Sequence, residues 1–232
     1  MPPREDPLTT VHKGLRSMIY RLSSRLQSND FTDLDSTRGL MVDLEHDFAV
    51  ARSAGCVVCI LSHHATDEDQ VMFPESAKVA PTLTAALIED HHELARRELA
   101  LTEGMRNILA LEAPAARLVE GARLNREANQ LFGAYLTHMN REDDELVPLL
   151  QEHFTDSQLV AMRTTIIARM PPERLFAIVG EMVPSMNPAE LVEFFGSVRQ
   201  SAPAPMMTAL ADLCARKLDP ARWAAVRSQV GL

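Results

Sequence analysis

Glycine, aromatic side chains and cysteine are all scarce in this chain, and each scarcity excludes something. Nine glycines in 232 residues and 5% aromatics, beside abundant Ala, Leu, Arg, Glu and Met, point away from sheets and toward an all-helical protein. Three cysteines, an odd number, do not read as a disulfide framework. Basic residues are outnumbered, 23 Lys and Arg against 32 Asp and Glu, and the formal charge of −9 argues against a nucleic-acid surface. The longest uncharged run, residues 53–66, is too short to span a bilayer and contains two histidines. No cationic segment followed by an apolar one opens the chain, so no secretory leader is expected. The expectation is a cytoplasmic protein, monomeric or homodimeric, with no membrane or nucleic-acid partner. At this length it can bury a sizeable core.

What is present is a repeated pair. His64-x-x-x-Glu68 runs on to Phe73-Pro74, and His138-x-x-x-Glu142 runs on to Val147-Pro148. In both copies the carboxylate comes four residues after the imidazole and the proline ten residues after it. A spacing of four is about one helical turn, so each His stands over its Glu on one helix face. An imidazole and a carboxylate on one face are what a transition-metal site asks of a helix.

Four long helical patterns are predicted, over about residues 8–27, 36–72 (bent near Gly55), 82–111 and 115–152. Their apolar stripes step by threes and fours, as in packed bundles. His12, His64, His91 and His138 fall on these stripes, as do Glu68 and Glu142. Polar groups inside a core cost several kcal/mol unless something satisfies them; a bound cation satisfies all six together. Short connections make the four helices run up, down, up, down. The start of the first, the end of the second, the start of the third and the end of the fourth then meet at one end. His12 to His64 spans 52 residues and His91 to His138 spans 47, so each helix pair offers one His and one His-Glu pair. This reads as a pseudo-two-fold di-metal site.

The set resembles the hemerythrin-like family, also called the HHE cation-binding domain, over about residues 8–153. The resemblance rests on Val11-His12-Lys13-Gly14-Leu15, His63-His64-Ala65-Thr66-Asp67-Glu68 with Met72-Phe73-Pro74, Glu89-Asp90-His91-His92-Glu93-Leu94, and Leu136-Thr137-His138-Met139-Asn140-Arg141-Glu142 with Pro148. It implies an all-α, up-down-up-down four-helix bundle holding two iron ions in an oxo- or hydroxo-bridged centre. His12 and His64 would bind one iron, His91 and His138 the other, and Glu68 and Glu142 would bridge them. The oxygen-carrying hemerythrins have a further His one turn after the third-helix ligand; here that position is Ala95, which disfavours simple oxygen carriage. Four imidazoles and two bridging carboxylates fill roughly eight of about twelve octahedral positions, and a bridging oxygen about two more. About one position per iron stays open, where dioxygen, peroxide or nitric oxide are the expected guests, for sensing or detoxification by a peroxidase- or catalase-like route. Glu93 or a neighbouring Tyr would close a position. The alternatives are a di-iron oxidase or oxygenase on an organic substrate, and an iron-storage or iron-sensing module.

Other residues have plainer readings. His63 and His92 lie about 100° off their stripes and are expected near the surface. His46 and His153 read as structural and surface residues. Cys56-Val57-Val58-Cys59 lies within an apolar helical run and reads as packing. Tyr135, one turn before His138, needs a hydroxyl partner if buried. Residues 1–153 form the expected bundle and 154–232 a C-terminal extension of short helices, which contains no histidine after His153. Thr155-x-x-Gln158, Asn187-Pro188 and Asp219-Pro220 mark helix starts, and Pro171-Pro172, Pro184 and Pro203-x-Pro205 are expected to break the rest. The extension covers the metal end, shapes a pocket or forms a dimer face.

Overall fold

The structure is a computed structural model, and it describes residues 4–47 and 60–232. The described residues are helical, with no strand among them. Helices α1 (Thr9–Ser28) and α2 (Leu34–Asp47) are followed by α3 (Ile60–Asp67), a π-turn (Glu68–Met72) and α4 (Phe73–Ser76), which run on as one rod. Next come α5 (Pro81–Ala110) and α6 (Pro114–Arg141), the latter continued by a second π-turn (Glu142–Leu146) and α7 (Val147–His153). Pro81 and Pro114 each occupy the first helical position, where a missing N–H costs nothing. Of the helix expected over 36–72, the described parts are α2 and the rod from Ile60; the bend near Gly55 and the Cys56–Cys59 pair lie outside the described residues. No described helix is long and apolar enough to cross a membrane.

Each π-turn begins at the Glu of a His-x-x-x-Glu pair and ends two residues before the proline. Its defining bond runs from the Phe73 N–H to the Glu68 carbonyl in one copy and from the Val147 N–H to the Glu142 carbonyl in the other. In an α-helix Pro74 and Pro148 would leave the carbonyls four residues back unpaired and would clash with them. One extra residue in the preceding turn relieves the clash, so the repeated proline has a structural role. A π-turn also takes more residues per revolution, so consecutive side chains fan out less. The Asp after each Glu therefore stays near the Glu face.

Helix α1 packs on α2 and α6, α2 on α5, and α5 along α6. Two apolar clusters bracket the histidine layer. One holds Leu8, Met72, Leu87 and Leu146, each four residues from His12, Glu68, His91 or Glu142, together with Phe73, Val147 and Leu150. The other holds Leu15, Leu61, Leu94 and Tyr135 and continues down the helices to Leu26 and Ile108. The outer neighbours precede the ligand-type residues in α1 and α5 and follow them in the other two rods.

Helices α8 (Asp156–Arg169), α9 (Pro172–Ser185), α10 (Pro188–Ser201), α11 (Ala204–Lys217) and α12 (Pro220–Val230) make the C-terminal segment. Their starts fall 16 residues apart each time, so the segment is an array of one-helix repeats. Caps recur at Thr155, Asn187 and Asp219, and one apolar column reads Leu159, Leu175, Leu191, Met207, Trp223. A single such helix cannot bury its face alone, and stacking supplies the partner. The break expected at Pro184 falls one residue later: the proline sits in the last turn of α9, which ends at Ser185. Helix α8 adds Leu159 and Met162 to the outer cluster. Helix α9 lies between two cores, with Ile178 in the cluster that α1, α2, α5 and α6 share and Val179 and Val183 in that of α10–α12.

The α1–α9 contact is close because Gly14 lacks a side chain: a Cβ there would stand 3.0 Å from the Met182 backbone nitrogen. Backbone cannot step aside as a side chain can. Gly14→Val is expected to destabilise the protein by about 1–3 kcal/mol, lowering Tm by about 2–4 °C per kcal/mol. An unchanged melting curve would contradict this packing.

Candidate metal centre

All six residues read from the stripes arrive at one place. Donor atoms of His12, His64, Glu68 and Glu142 lie within 4.8 Å of one another, and so do those of Glu68, His91, His138 and Glu142. The two carboxylates belong to both sets. Glu68 turns Oε1 to His64 Nε2 at 3.1 Å and Oε2 to His91 Nε2 at 3.5 Å. Glu142 turns Oε2 to His12 Nε2 at 3.5 Å and Oε1 to His138 Nε2 at 3.3 Å. Each carboxylate thus spans from one histidine pair to the other. The Nε2 atoms of His12 and His64 face each other at 3.1 Å, and the His91 and His138 rings lie 4.6 Å apart.

The orientation of three imidazoles is set by carboxylates that the sequence reading missed. His12 Nδ1 meets Asp143 at 2.7 Å, His91 Nδ1 meets Asp69 at 2.8 Å, and His138 Nδ1 meets Asp90 at 3.5 Å. Asp69 and Asp143 directly follow Glu68 and Glu142, so each copy reads His-x-x-x-Glu-Asp; that recurrence was the available signal. The Glu of each rod points inward while its Asp reaches the histidine of a neighbouring helix. Arg16 anchors Asp143 at 2.6 Å and Arg141 anchors Asp90 at 2.8 Å. A carboxylate on Nδ1 keeps the proton there and leaves the Nε2 lone pair facing the centre. His64 has no such partner among the described residues.

The donor set fits a cation. Both oxygens of Glu68, both of Glu142, and Nε2 of His91 and His138 are buried without a hydrogen-bond partner. Orphaned buried polar atoms are costly, and six of them converging on one point have a common remedy in positive charge. The electrostatics of the site make the same demand. Burial alone pushes His12 down, but Asp143 and Glu68 outweigh it and hold the imidazole at about 9. His91 is likewise pushed down by burial, yet Asp69 and Glu68 raise it to about 10. For His64 burial outweighs the neighbouring Glu68 charge and lowers the imidazole to about 4. Burial and the neighbouring Glu68 raise Glu142, while Glu68 itself is held well below the usual range, its burial outweighed by His64 and His12.

The remaining candidates are accounted for by their surroundings. Glu93 pairs with Arg97 at 2.6 Å and with Arg96 on an outer face. His92 is exposed beside Glu89, and His153 is exposed at the end of α7. The side chain of His46 lies outside the described residues. Tyr135 is buried and donates its hydroxyl to Glu98, a buried carboxylate on α5 that the sequence reading did not single out. Burial and the Glu98 charge push the phenol well above its ordinary value, so it keeps its proton.

A family model described as the hemerythrin HHE cation binding domain matches residues 5–150, which include all six converging residues. No curated protein and no solved structure matches the chain.

Because His12 and His91 are raised to about 9 and about 10 from an ordinary 6.5, their protonation stabilises the folded chain when no metal competes. That stabilisation is complete below about pH 6.5 and is lost as pH rises through 9 to 10. Chelator-treated protein should therefore lose Tm between pH 7 and 10, and metal-loaded protein should not. A flat Tm for the chelated protein across that window would contradict the assignment.

Proposed function

Because the chain belongs to the hemerythrin HHE cation-binding domain family, we propose that residues 1–153 form an up-down-up-down four-helix bundle around a paired iron centre that handles dioxygen, peroxide or nitric oxide. Residues 154–232 form its helical extension. His12 and His64 hold one iron and His91 and His138 the other, with Glu68 and Glu142 bridging. The observation that carries this reading is that each carboxylate offers one oxygen to each histidine pair. Reversal of the outer neighbours between alternate helices supports the bundle direction.

When bound, the two irons supply electrons and open positions for a small oxidant. The chain's own groups prepare that chemistry. Asp69, Asp90 and Asp143 present the imidazoles in the binding tautomer, and such outer carboxylates also raise ligand basicity. The apolar clusters on either side keep bulk water away, which strengthens every charge interaction between them. Ala95 offers no donor one turn beyond His91, so that side of the centre stays open. Tyr135 and Glu98 hold a buried proton one turn inward of His138.

Anaerobic loading with ferrous ion should give two irons per chain, and admitting air or peroxide should produce ferric absorption in the near ultraviolet. A colourless protein taking up less than one iron per chain would overturn the proposal. Asp69→Asn and Asp143→Asn should each weaken iron binding about 10–100-fold, while Glu93→Ala should leave it unchanged; the equilibrium is read by competition with a chelator.

A further inference from the structure

The two halves of the centre are supported differently. His91 and His138 come from α5 and α6, which pack along each other, and both carry a carboxylate on Nδ1. His64 and Glu68 come from the junction of α3 and its π-turn, and His64 has no carboxylate on Nδ1 among the described residues. A C-terminal helix packs on α3 instead. Arg174, in the first turn of α9, reaches Asp67 with Nη2 at 3.1 and 3.2 Å from its two oxygens. Both side chains are buried, 5% and 6% exposed. Asp67 is the residue directly before Glu68. The same helix lies on α1 at Gly14, two residues from His12, and α10 adds a Lys13–Glu190 ion pair beside it. The C-terminal array therefore grips both helices that supply His12, His64 and Glu68.

Resting on the paired centre proposed above, we propose that Arg174 is a positioning residue for one metal position. By neutralising Asp67 inside the α3–α9 contact, it holds the His64–Glu68 turn opposite His12. The C-terminal helices thereby control occupancy of the His12–His64 position more strongly than that of the His91–His138 position, whose imidazoles α5 and α6 carry. Removing one member of a buried ion pair leaves an uncompensated charge that must find water. Turning α3 gives Asp67 a route to water, and neighbouring residues of a helix turn together. That motion carries His64 and one Glu68 oxygen away from His12. His138 keeps Asp90, which Arg141 holds across the α5–α6 contact, and His91 stays on α5, so their position loses less although Asp69, which meets His91, follows Glu68 on the moving turn.

The test is anaerobic ferrous titration of the full-length chain, with helicity checked by circular dichroism. The unaltered protein takes two ions; Arg174→Met should keep one and bind the second at least tenfold more weakly. Adding His138→Ala to Arg174→Met should remove the surviving tight ion, whereas adding His12→Ala should leave that tight ion in place. Arg174→Lys, which keeps the cation, should recover the second ion. Should Arg174→Met fail to fold, Arg174→Gln, which also leaves the Asp67 charge uncompensated, provides the same comparison and should show the same selective loss. Two ions bound as tightly as in the unaltered chain, or equal loss from both positions, would overturn the inference while leaving the paired centre standing. Uptake of fewer than two ions by the unaltered protein would overturn both.

Discussion

Two carboxylates face each other inside a dry helical core, and the rest of the molecule is arranged around that fact. Glu68 and Glu142 are both buried, and their four oxygens have no hydrogen-bond donor among the described residues. Such a pair is tolerated only beside positive charge. Protons on His12 and His91 provide it in part, and the proposed cations provide it fully. The four imidazoles aim Nε2 at the gap between the carboxylates, and three of them are locked from behind by Asp69, Asp90 and Asp143. Apolar layers above and below remove the water that would otherwise screen these charges.

The two halves solve the same geometric problem in the same way. A proline ten residues after each histidine forces a π-turn, and the turn begins at the bridging-type Glu. The next residue, Asp, then lies close enough to that face to reach a neighbouring helix. One short motif thus supplies an inward carboxylate, its own histidine and the anchor of another. The symmetry fails at His64, whose place depends on packing rather than on a carboxylate. At that point a C-terminal helix is inserted, tied to Asp67 through Arg174. A link of this kind lets the extension respond to the centre, or the centre to the extension, because coupling between sites is reciprocal.

The helical character and the meeting of six residues were legible because both rest on periodicity. His12, His64, His91 and His138 stand on apolar stripes, and stripes in a four-helix pattern share one interior. What escaped the sequence reading depends on contacts between elements. Asp69 and Asp143 look like surface acids until the π-turn brings them round. Glu98 looks like part of a charged helix face until Tyr135 is found against it. Arg174 pairs with a residue 107 positions away, and no local pattern announces that. The 16-residue spacing of the C-terminal helices was present in the sequence, in Leu159, Leu175, Leu191, Met207 and Trp223. Its variable composition hid it from a search for identical motifs.

The most direct measurement is anomalous X-ray diffraction at the iron edge from crystals of the iron-loaded protein. Two iron peaks about 3.5–4 Å apart, each flanked by one histidine pair and joined by Glu68 and Glu142, are the expected result. A single peak, or iron bound away from these side chains, would contradict it.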